Sequence, residues 1–171
     1  ANYREYFGTP TLVTSAQHTL TIGVVITVIV VVLAFIYAYA LTRSCMPLKG
    51  VFRGVAMVPI LAPSLLPAIS LVYLFGNQGM VKGILMGQTI YGPIGIVIAL
   101  AFWIFPHTVL ILTTALSMAD ARLYEAAIAL RASKLRIFFS VTLPGAKYGV
   151  MSACFVAFTY AITDFGAPKV I

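Results

Sequence analysis

Residues with reactive or ionisable side chains are few in this sequence, and their spacing excludes several kinds of site. The two cysteines, Cys45 and Cys154, have neither metal-ligand spacing nor a nearby partner histidine, so no zinc site or disulfide framework is expected. Paired carboxylates, a histidine-rich metal cluster and a Gly-x-Ser-x-Gly motif do not occur in the sequence. We therefore expect no catalytic residue and no metal site in this chain.

Two ionisable side chains nevertheless lie in or beside apolar segments. His107 falls near the middle of one such segment and Asp164 at the outer end of another. In a bilayer such groups are costly unless they face a cavity or a partner, so both are candidates for a substrate path. The alternatives are a neutral imidazole hydrogen-bonded across helices to a Thr or Tyr, and an interfacial carboxylate that ends a span. An anionic substrate would favour His107, Lys82 or helix N-termini, whereas a bare cation would favour Asp164.

The composition identifies the solvent around these residues. Of the 171 residues, 61% are hydrophobic and only 9% are charged, whereas a soluble domain carries about 25% charged residues. A soluble globular protein is thereby excluded, and the chain must lie mainly in lipid. The net charge of +7 does not indicate a nucleic-acid partner, because the basic residues lie in short gaps between apolar runs.

Four apolar segments are long enough to cross a bilayer as helices. They cover residues 19–41, 55–75, 90–116 and 149–165. The expected fold is therefore an all-α polytopic membrane protein with about four transmembrane helices.

Three prolines interrupt the second predicted span at intervals of four residues. Pro59, Pro63 and Pro67 fall within about 80° of one another around a helix, so their freed carbonyls should face one side. We expect a kinked helix over 55–75. Its role is either that of a bent packing helix or that of a hinge or pore-lining element.

The distribution of Lys and Arg predicts the orientation of the spans. The gaps after the first and third spans hold most of the basic residues: Arg43, Lys49, Arg53, Arg122, Arg131, Lys134, Arg136 and Lys147. The opposite side holds only Arg4, Lys82 and Lys169. An even number of crossings separates the two basic gaps, so both should lie on one side, and that side should be cytoplasmic.

The loop 120–144 is expected to form two short amphipathic helices on the cytoplasmic face. Asp120 can cap the first helix and Ser133 the second. Apolar residues recur at helical spacing in both: Leu123, Ala126, Ala127 and Leu130, then Leu135, Phe138 and Phe139. Such helices either lie in the lipid headgroups or dock onto a partner protein.

The same loop resembles the EAA loop of binding-protein-dependent ABC importer permeases of the type I fold. That family's pattern is Glu-Ala-Ala, three residues, Gly, nine residues, Ile, one residue and Leu-Pro. Residues 125–127 and the pair Leu143-Pro144 match it in register, with Val141 at the Ile position and Arg131 at the Gly position. A left-handed turn at a non-glycine residue costs about 1 kcal/mol. Either the break between the helices is less sharp than with Gly, or Arg131 is strained.

Other segments resemble the same family in the family's order. They are residues 15–20, 59–67, and 74–76 followed by Gly79. The closing residues 163–168 are most similar to permeases for ferric iron, 2-aminoethylphosphonate and related small anions or chelates. The resemblance implies that the four spans are the second to fifth of a usual six, so we expect this chain to be a fragment.

The resemblance also implies partners and residue roles. Glu125 would be the carboxylate that contacts a separate ABC ATPase dimer, Ala126 and Ala127 the small face that permits close approach, and Leu143-Pro144 the return into the fourth span. ATP and magnesium would bind that partner, because this sequence has no Gly-x-x-x-x-Gly-Lys-Ser/Thr phosphate loop. A second permease copy or fused half and a periplasmic or extracellular solute-binding protein complete an importer in the bacterial cytoplasmic (inner) membrane.

Two alternatives remain at the level of sequence. Glu125 could be an exposed helix charge paired with Arg122 or Arg131, which contributes only tenths of a kcal/mol. The chain could also be an ion- or proton-coupled secondary carrier, with His107 and Asp164 as a proton relay. Dependence of uptake on ATP or on an ion gradient separates the two functions.

Overall fold

The computed structural model describes residues 10–81, 83 and 89–171, and helices make up nearly all of its regular structure. The helices are α1 (Pro10–Arg43), α2 (Lys49–Met57), α3 (Leu65–Phe75), α4 (Pro93–Ser117), α5 (Ala121–Ala129), α6 (Lys134–Ile137), α7 (Leu143–Thr163) and α8 (Gly166–Val170). A 3-10 helix, Val58–Leu61, follows α2, and a π-helical segment, Phe138–Thr142, joins α6 to α7. The predicted positions Arg4 and Lys82 lie outside the described residues.

Three continuous helical stretches are long and apolar enough to cross a membrane. They are Thr11–Arg43, Pro93–Ser117 and Lys134–Val170. The bent pair Lys49–Leu61 and Leu65–Phe75 adds a fourth if it is counted as one broken span. The prediction of an all-α polytopic membrane protein is confirmed. The β-branched run in α1 is helical because only a helix satisfies every backbone group of a single segment in lipid.

Small side chains form the contact between the three long helices. α1, α4 and α7 pack against one another. Alanines from all three are fully buried in this core, namely Ala34, Ala38, Ala99, Ala146, Ala153 and Ala157. In lipid the hydrophobic effect does not drive helices to associate. Small residues instead let the backbones approach closely, and the resulting van der Waals packing stabilises the contact.

The second predicted span is broken more sharply than a kink. The axes on either side of residues 62–64 differ by 96°. Proline lacks an N–H and its ring clashes with the carbonyl four residues earlier, so Pro59 and Pro63 together stop the helix. The Ala62 carbonyl is not left unsatisfied, because Trp103 of α4 donates its indole Nε1–H to it at 3.0 Å. The Ala62 carbonyl, which lies in the break, thus fixes the break against α4.

The two basic gaps meet at one end of the bundle. Nη2 of Arg43, the last residue of α1, donates to the carbonyl of Leu116 in the last turn of α4 at 2.9 Å. The C-terminal ends of α1 and α4, which form the first and third predicted spans, therefore lie side by side, as the count of crossings requires. The cytoplasmic assignment of this end rests on the Lys and Arg distribution.

Gly149 marks a close approach between α4 and α7. A Cβ atom built on Gly149 would overlap the side chain of Ala115, whereas one on Gly145, a turn earlier, would have only an ordinary contact of 3.9 Å with Ala119. The crossing of these helices therefore requires glycine at position 149 and not at 145.

We predict that Gly149→Ala lowers the thermal midpoint measured by circular dichroism in detergent. Overpacking a close contact costs about 1–3 kcal/mol, which corresponds to a decrease of a few degrees. The matched control is Gly145→Ala, which should leave the midpoint unchanged or raise it, because alanine favours a helix by about 0.5–1 kcal/mol. Equal effects of the two substitutions would contradict the crossing described here.

Candidate functional site

The loop between α4 and α7 contains the two predicted helices and both predicted caps. Oδ1 of Asp120 accepts a hydrogen bond from the backbone N–H of Arg122 at 2.9 Å. Oγ of Ser133 accepts one from the backbone N–H of Arg136 at 3.3 Å. Each cap satisfies a backbone donor that the first turn of a helix leaves free, so the caps fix where α5 and α6 begin.

A left-handed residue separates the two helices. Arg131 has φ 53°. Its N–H donates to the carbonyl of Ile128 at 2.9 Å, and the N–H of Ala132 donates to the carbonyl of Ala127 at 3.0 Å. These two bonds form a Schellman motif, the usual ending of a helix at glycine. The break is therefore as sharp as the family's glycine would make it, and Arg131 is in a strained conformation.

The apolar residues of the loop are not buried within the chain. Large apolar side chains on α5, α6 and the segments that follow them are exposed, and we call this set the loop surface: Leu123, Ile128, Leu130, Leu135 and Phe139. Leu130 is the extreme case, with 83% of its surface exposed. The half-buried face of α5 is instead formed by Tyr124 and Ala127. Most of the predicted apolar stripe thus faces outward, as an apolar patch of a binding surface does, whereas Ala127 and Phe138 of the stripe are half-buried.

The predicted Glu-Ala-Ala residues lie at this surface. Glu125 and Ala126 are exposed, and Ala127 is half-buried. Within the part of the chain that the structure describes, Glu125 forms no ion pair, so neither Arg122 nor Arg131 neutralises it. A carboxylate with no ion-pair partner among the described residues is available to a partner protein.

Tyr124 and Arg43 attach α5 to the ends of the membrane helices. The Tyr124 hydroxyl donates to Oγ1 of Thr142 at 2.9 Å, and Thr142 is 1% exposed. The Arg43 guanidinium carbon lies 4.1 Å from the centre of the Tyr124 ring. Through Arg43 and its bond to the Leu116 carbonyl, α5 is connected to α1 and α4 as well as to the segment leading into α7. We call these four residues the Arg43 cluster; sequence reasoning missed it.

Phe138 provides a second attachment of the loop to α1. Its ring meets Phe35 and Tyr39 of α1 edge to face, with centroids 6.0 and 5.6 Å apart. Phe138 also begins the π-helical segment, whose last turn is closed by a bond from the Leu143 N–H to the Phe138 carbonyl. Pro144 has no N–H to donate, and the wider π register accommodates it at the start of α7.

His107 is held by its own helix and by two aromatic rings. Its Nδ1 lies 3.2 Å from the carbonyl oxygen of Trp103, so Nδ1 must be the donor, because a carbonyl only accepts. The imidazole centre lies 5.2 Å from the rings of Trp103 and of Tyr160 on α7. The expected cross-helix hydrogen bond to a Thr or Tyr is thus replaced by ring packing.

Asp164 ends α7 and supports the short helix that follows. Its Oδ2 accepts from the backbone N–H of Ala167 at 2.9 Å. The half-buried carboxylate also borders a cavity of about 250 Å³ that includes His18 of α1. Among the described residues, no hydrogen bond or ion pair joins His107 to Asp164.

The fold and this loop define a class of protein: an all-α membrane bundle that presents an apolar, capped two-helix loop at its basic end. The family model of the binding-protein-dependent transport system inner membrane component matches residues 46–171. The chain belongs to this family, and it is an inner-membrane protein.

Curated relatives support the same family. The chain is 29% identical over 140 residues to the molybdenum transport system permease protein ModB of Escherichia coli (strain K12), covering 77% of this chain and 59% of the relative. It is 25% identical over 165 residues to the probable sulfate transport system permease protein cysT of Chlorokybus atmophyticus, covering 95% of this chain and 58% of the relative. It is 28% identical over 162 residues to the spermidine/putrescine transport system permease protein PotC of Haemophilus influenzae, covering 95% of this chain and 60% of the relative. The chain spans about three fifths of the length of these relatives.

We predict that Arg131→Gly stabilises the protein. Glycine removes the left-handed strain of about 1 kcal/mol, while the loss of an exposed charge changes the free energy of unfolding by only tenths of a kcal/mol. The thermal midpoint in detergent should rise by a few degrees. Ala129→Gly is the matched control within α5 and should lower it, since glycine inside a helix costs up to about 1 kcal/mol. A lower midpoint for Arg131→Gly would show that its left-handed conformation is not a source of strain.

Proposed function

We propose that this chain is the transmembrane permease subunit of an ATP-driven, solute-binding-protein-dependent importer. Its loop docks onto a separate ATPase. The observation that carries the proposal is the exposed, unpaired Glu125 beside the loop surface, in a segment that the Arg43 cluster fixes to the membrane helices. Membership of the binding-protein-dependent family supports it.

The contacts of the loop suggest how movement would pass from the partner to the membrane. A displacement of α5 acts on Tyr124, whose hydroxyl bonds Thr142 at the entry to α7 and whose ring lies against Arg43. Arg43 in turn is bonded to the end of α4. Docking therefore moves the ends of the three long helices together. This chain is non-catalytic, and the ATPase dimer supplies the ATP and magnesium sites.

Two docking loops are needed for an ATPase dimer, so the importer contains a second permease copy or a fused half. The translocation path then lies between the two permease units, where His107 and Asp164 stay candidates for contact with substrate. A periplasmic or extracellular solute-binding protein delivers the substrate at the end that holds Asp164 and His18.

A secondary carrier is the less favoured function. A proton relay needs groups that exchange protons along a continuous route. His107 donates to Trp103 and Asp164 accepts from Ala167, and no hydrogen bond or ion pair joins the two among the described residues. The loop surface also has no function in a carrier of that kind. ATP dependence of uptake tests the choice directly.

For the substrate we propose a tetrahedral oxyanion, and two kinds of observation support this. Relatives of similar identity are named for molybdenum and for sulfate. In addition, Asp164 is the one described carboxylate outside the loop 120–144, and one of its oxygens already accepts a backbone N–H. A phosphonate, expected from residues 163–168, presents similar oxygens. Ferric iron, expected from the same residues, and the polyamines in the name of PotC are the cationic alternatives.

We predict that Glu125→Lys uncouples transport without preventing membrane insertion. Reversing an unpaired charge at the centre of the docking surface should weaken ATPase binding at least tenfold, since truncating one partner of a buried charge pair costs about 2–5 kcal/mol. Substrate uptake into proteoliposomes and co-purification of the ATPase measure the effect.

A charge reversal of the same size provides the control for this experiment. Lys147→Glu alters an exposed residue of α7 outside the loop 120–144, so ATPase binding and uptake should stay near the wild-type level. Full uptake and normal ATPase assembly with Glu125→Lys would exclude the docking role of Glu125.

The substrate class is tested by ATPase stimulation in the reconstituted importer. The co-encoded solute-binding protein is loaded in turn with molybdate, sulfate, a phosphonate, ferric iron or spermidine. We expect an oxyanion to stimulate hydrolysis and the two cations to leave it at the basal rate. Stimulation by ferric iron or spermidine alone would refute the oxyanion proposal and leave the permease assignment intact.

A further inference from the structure

A polar cavity of about 450 Å³ opens where α1, α2 and α4 meet, at the basic end of the bundle. Arg43 contributes from the end of α1, Lys49 and Arg53 from α2, and Thr113 from α4. The loop surface lies on other elements, so this cavity is separate from the proposed docking site.

The cavity concentrates positive charge without a counter-charge. Three of its lining residues are cationic: Arg43, Lys49 and Arg53. The acidic residues of the described chain are Asp120, Glu125 and Asp164, and none of them lines it. Like charges repel, so an arrangement of this kind is stabilised when an anion lies between them.

Two buried hydrogen-bonding groups of the cavity residues have no partner in the described structure. Thr113 is 6% exposed, and its Oγ1 forms no hydrogen bond. Nε of Arg43 is likewise buried and unpartnered. Other threonines of α4 differ, since Thr108 and Thr114 each donate to a carbonyl of their own helix. A buried polar group without a partner is costly, and both residues line the cavity, so these two groups are candidate donors to a ligand there.

The first residues of α2 add backbone donors to the same cavity. Lys49 and Gly50 line it and form the first turn of the nine-residue α2. The N–H groups of a first turn have no partner within the helix, and the helix dipole there favours negative charge. Cationic side chains, a buried hydroxyl and a helix N-terminus therefore converge on one space.

We propose that this cavity binds a tetrahedral phosphate-type oxyanion. The anion is either the headgroup phosphate of an anionic phospholipid or a free inorganic oxyanion, and the donor set is the same for both. Lys49 and Arg53 neutralise it, while Thr113 Oγ1 and Arg43 Nε donate to it. Because the Arg43 guanidinium also lies on the Tyr124 ring, a bound anion holds Arg43 in the position that fixes α5. The proposal does not depend on the transport function, since binding is measured without uptake.

The test uses the full chain purified with its partner subunits in a zwitterionic detergent. In one arm, native mass spectrometry compares retention of phosphatidylglycerol with that of phosphatidylcholine. In the other, equilibrium dialysis measures binding of radiolabelled inorganic phosphate. Selective binding in the first arm identifies a lipid headgroup, and binding in the second a free oxyanion.

Variants locate the bound anion. The double substitution Lys49→Gln with Arg53→Gln should weaken binding at least about tenfold, because the two charge-assisted contacts that neutralise the anion are lost. Thr113→Val preserves the shape of the side chain and should weaken it several-fold. Lys147→Gln and Thr114→Val are the matched controls, since neither residue lines the cavity, and both should bind as the wild type does.

Three results would overturn the proposal. The first is an absence of selective binding in both arms by the wild-type protein. The second is equal binding by the double variant and by the controls, with all of them eluting as folded complexes in size-exclusion chromatography. The third is binding that appears only after the ATPase is removed, which would show that a side chain of the ATPase occupies the cavity.

Discussion

The guanidinium group of Arg43 joins α1, α4 and α5 at one end of the bundle. It lies at the C-terminal end of α1, donates to a carbonyl in the last turn of α4 and lies over the Tyr124 ring of α5. The last carbonyls of a helix are unsatisfied and carry partial negative charge. A cation between two such ends is therefore stabilised by both helices. Arginine suits this position because the N–H groups at the edge of its planar guanidinium can donate hydrogen bonds while the face of the guanidinium packs on an aromatic ring.

This constraint explains why the loop behaves as part of the bundle although its apolar residues face outward. A short helix has little stability of its own, so the orientation of α5 must come from tertiary contacts. The Tyr124–Thr142 bond and the Phe138 ring contacts supply them at two separate points. Each is worth roughly 1 kcal/mol, and contacts at two points resist rotation in a way that one cannot. The loop surface is thereby held in one orientation for a partner.

Local sequence patterns predicted the features that depend on local chemistry. The caps Asp120 and Ser133 and the helical class follow from neighbouring residues, and the structure confirms them. The sequence did not predict the 96° break, because the number of prolines indicates disruption but not its angle. Nor could it show that Arg43 reaches a carbonyl 73 residues away, or which face of α5 the bundle covers. An amphipathic pattern shows that an apolar face exists, whereas the covering neighbour is a property of the fold.

Most polar side chains in the membrane-spanning part of the described chain form hydrogen bonds to the protein's own backbone. Few of them are therefore left to bind a solute in the transport proposed above. His107 donates to its own helix, Trp103 donates to the broken span, and the Asp164 carboxylate accepts from the N–H of Ala167 in α8. A solute that arrives bound to another protein needs little further affinity along its path, and tight binding there would slow its release. Selectivity would then belong to the binding protein. Cationic side chains gather instead at the end of the bundle that holds the loop 120–144, and there they would affect the proposed coupling without obstructing passage.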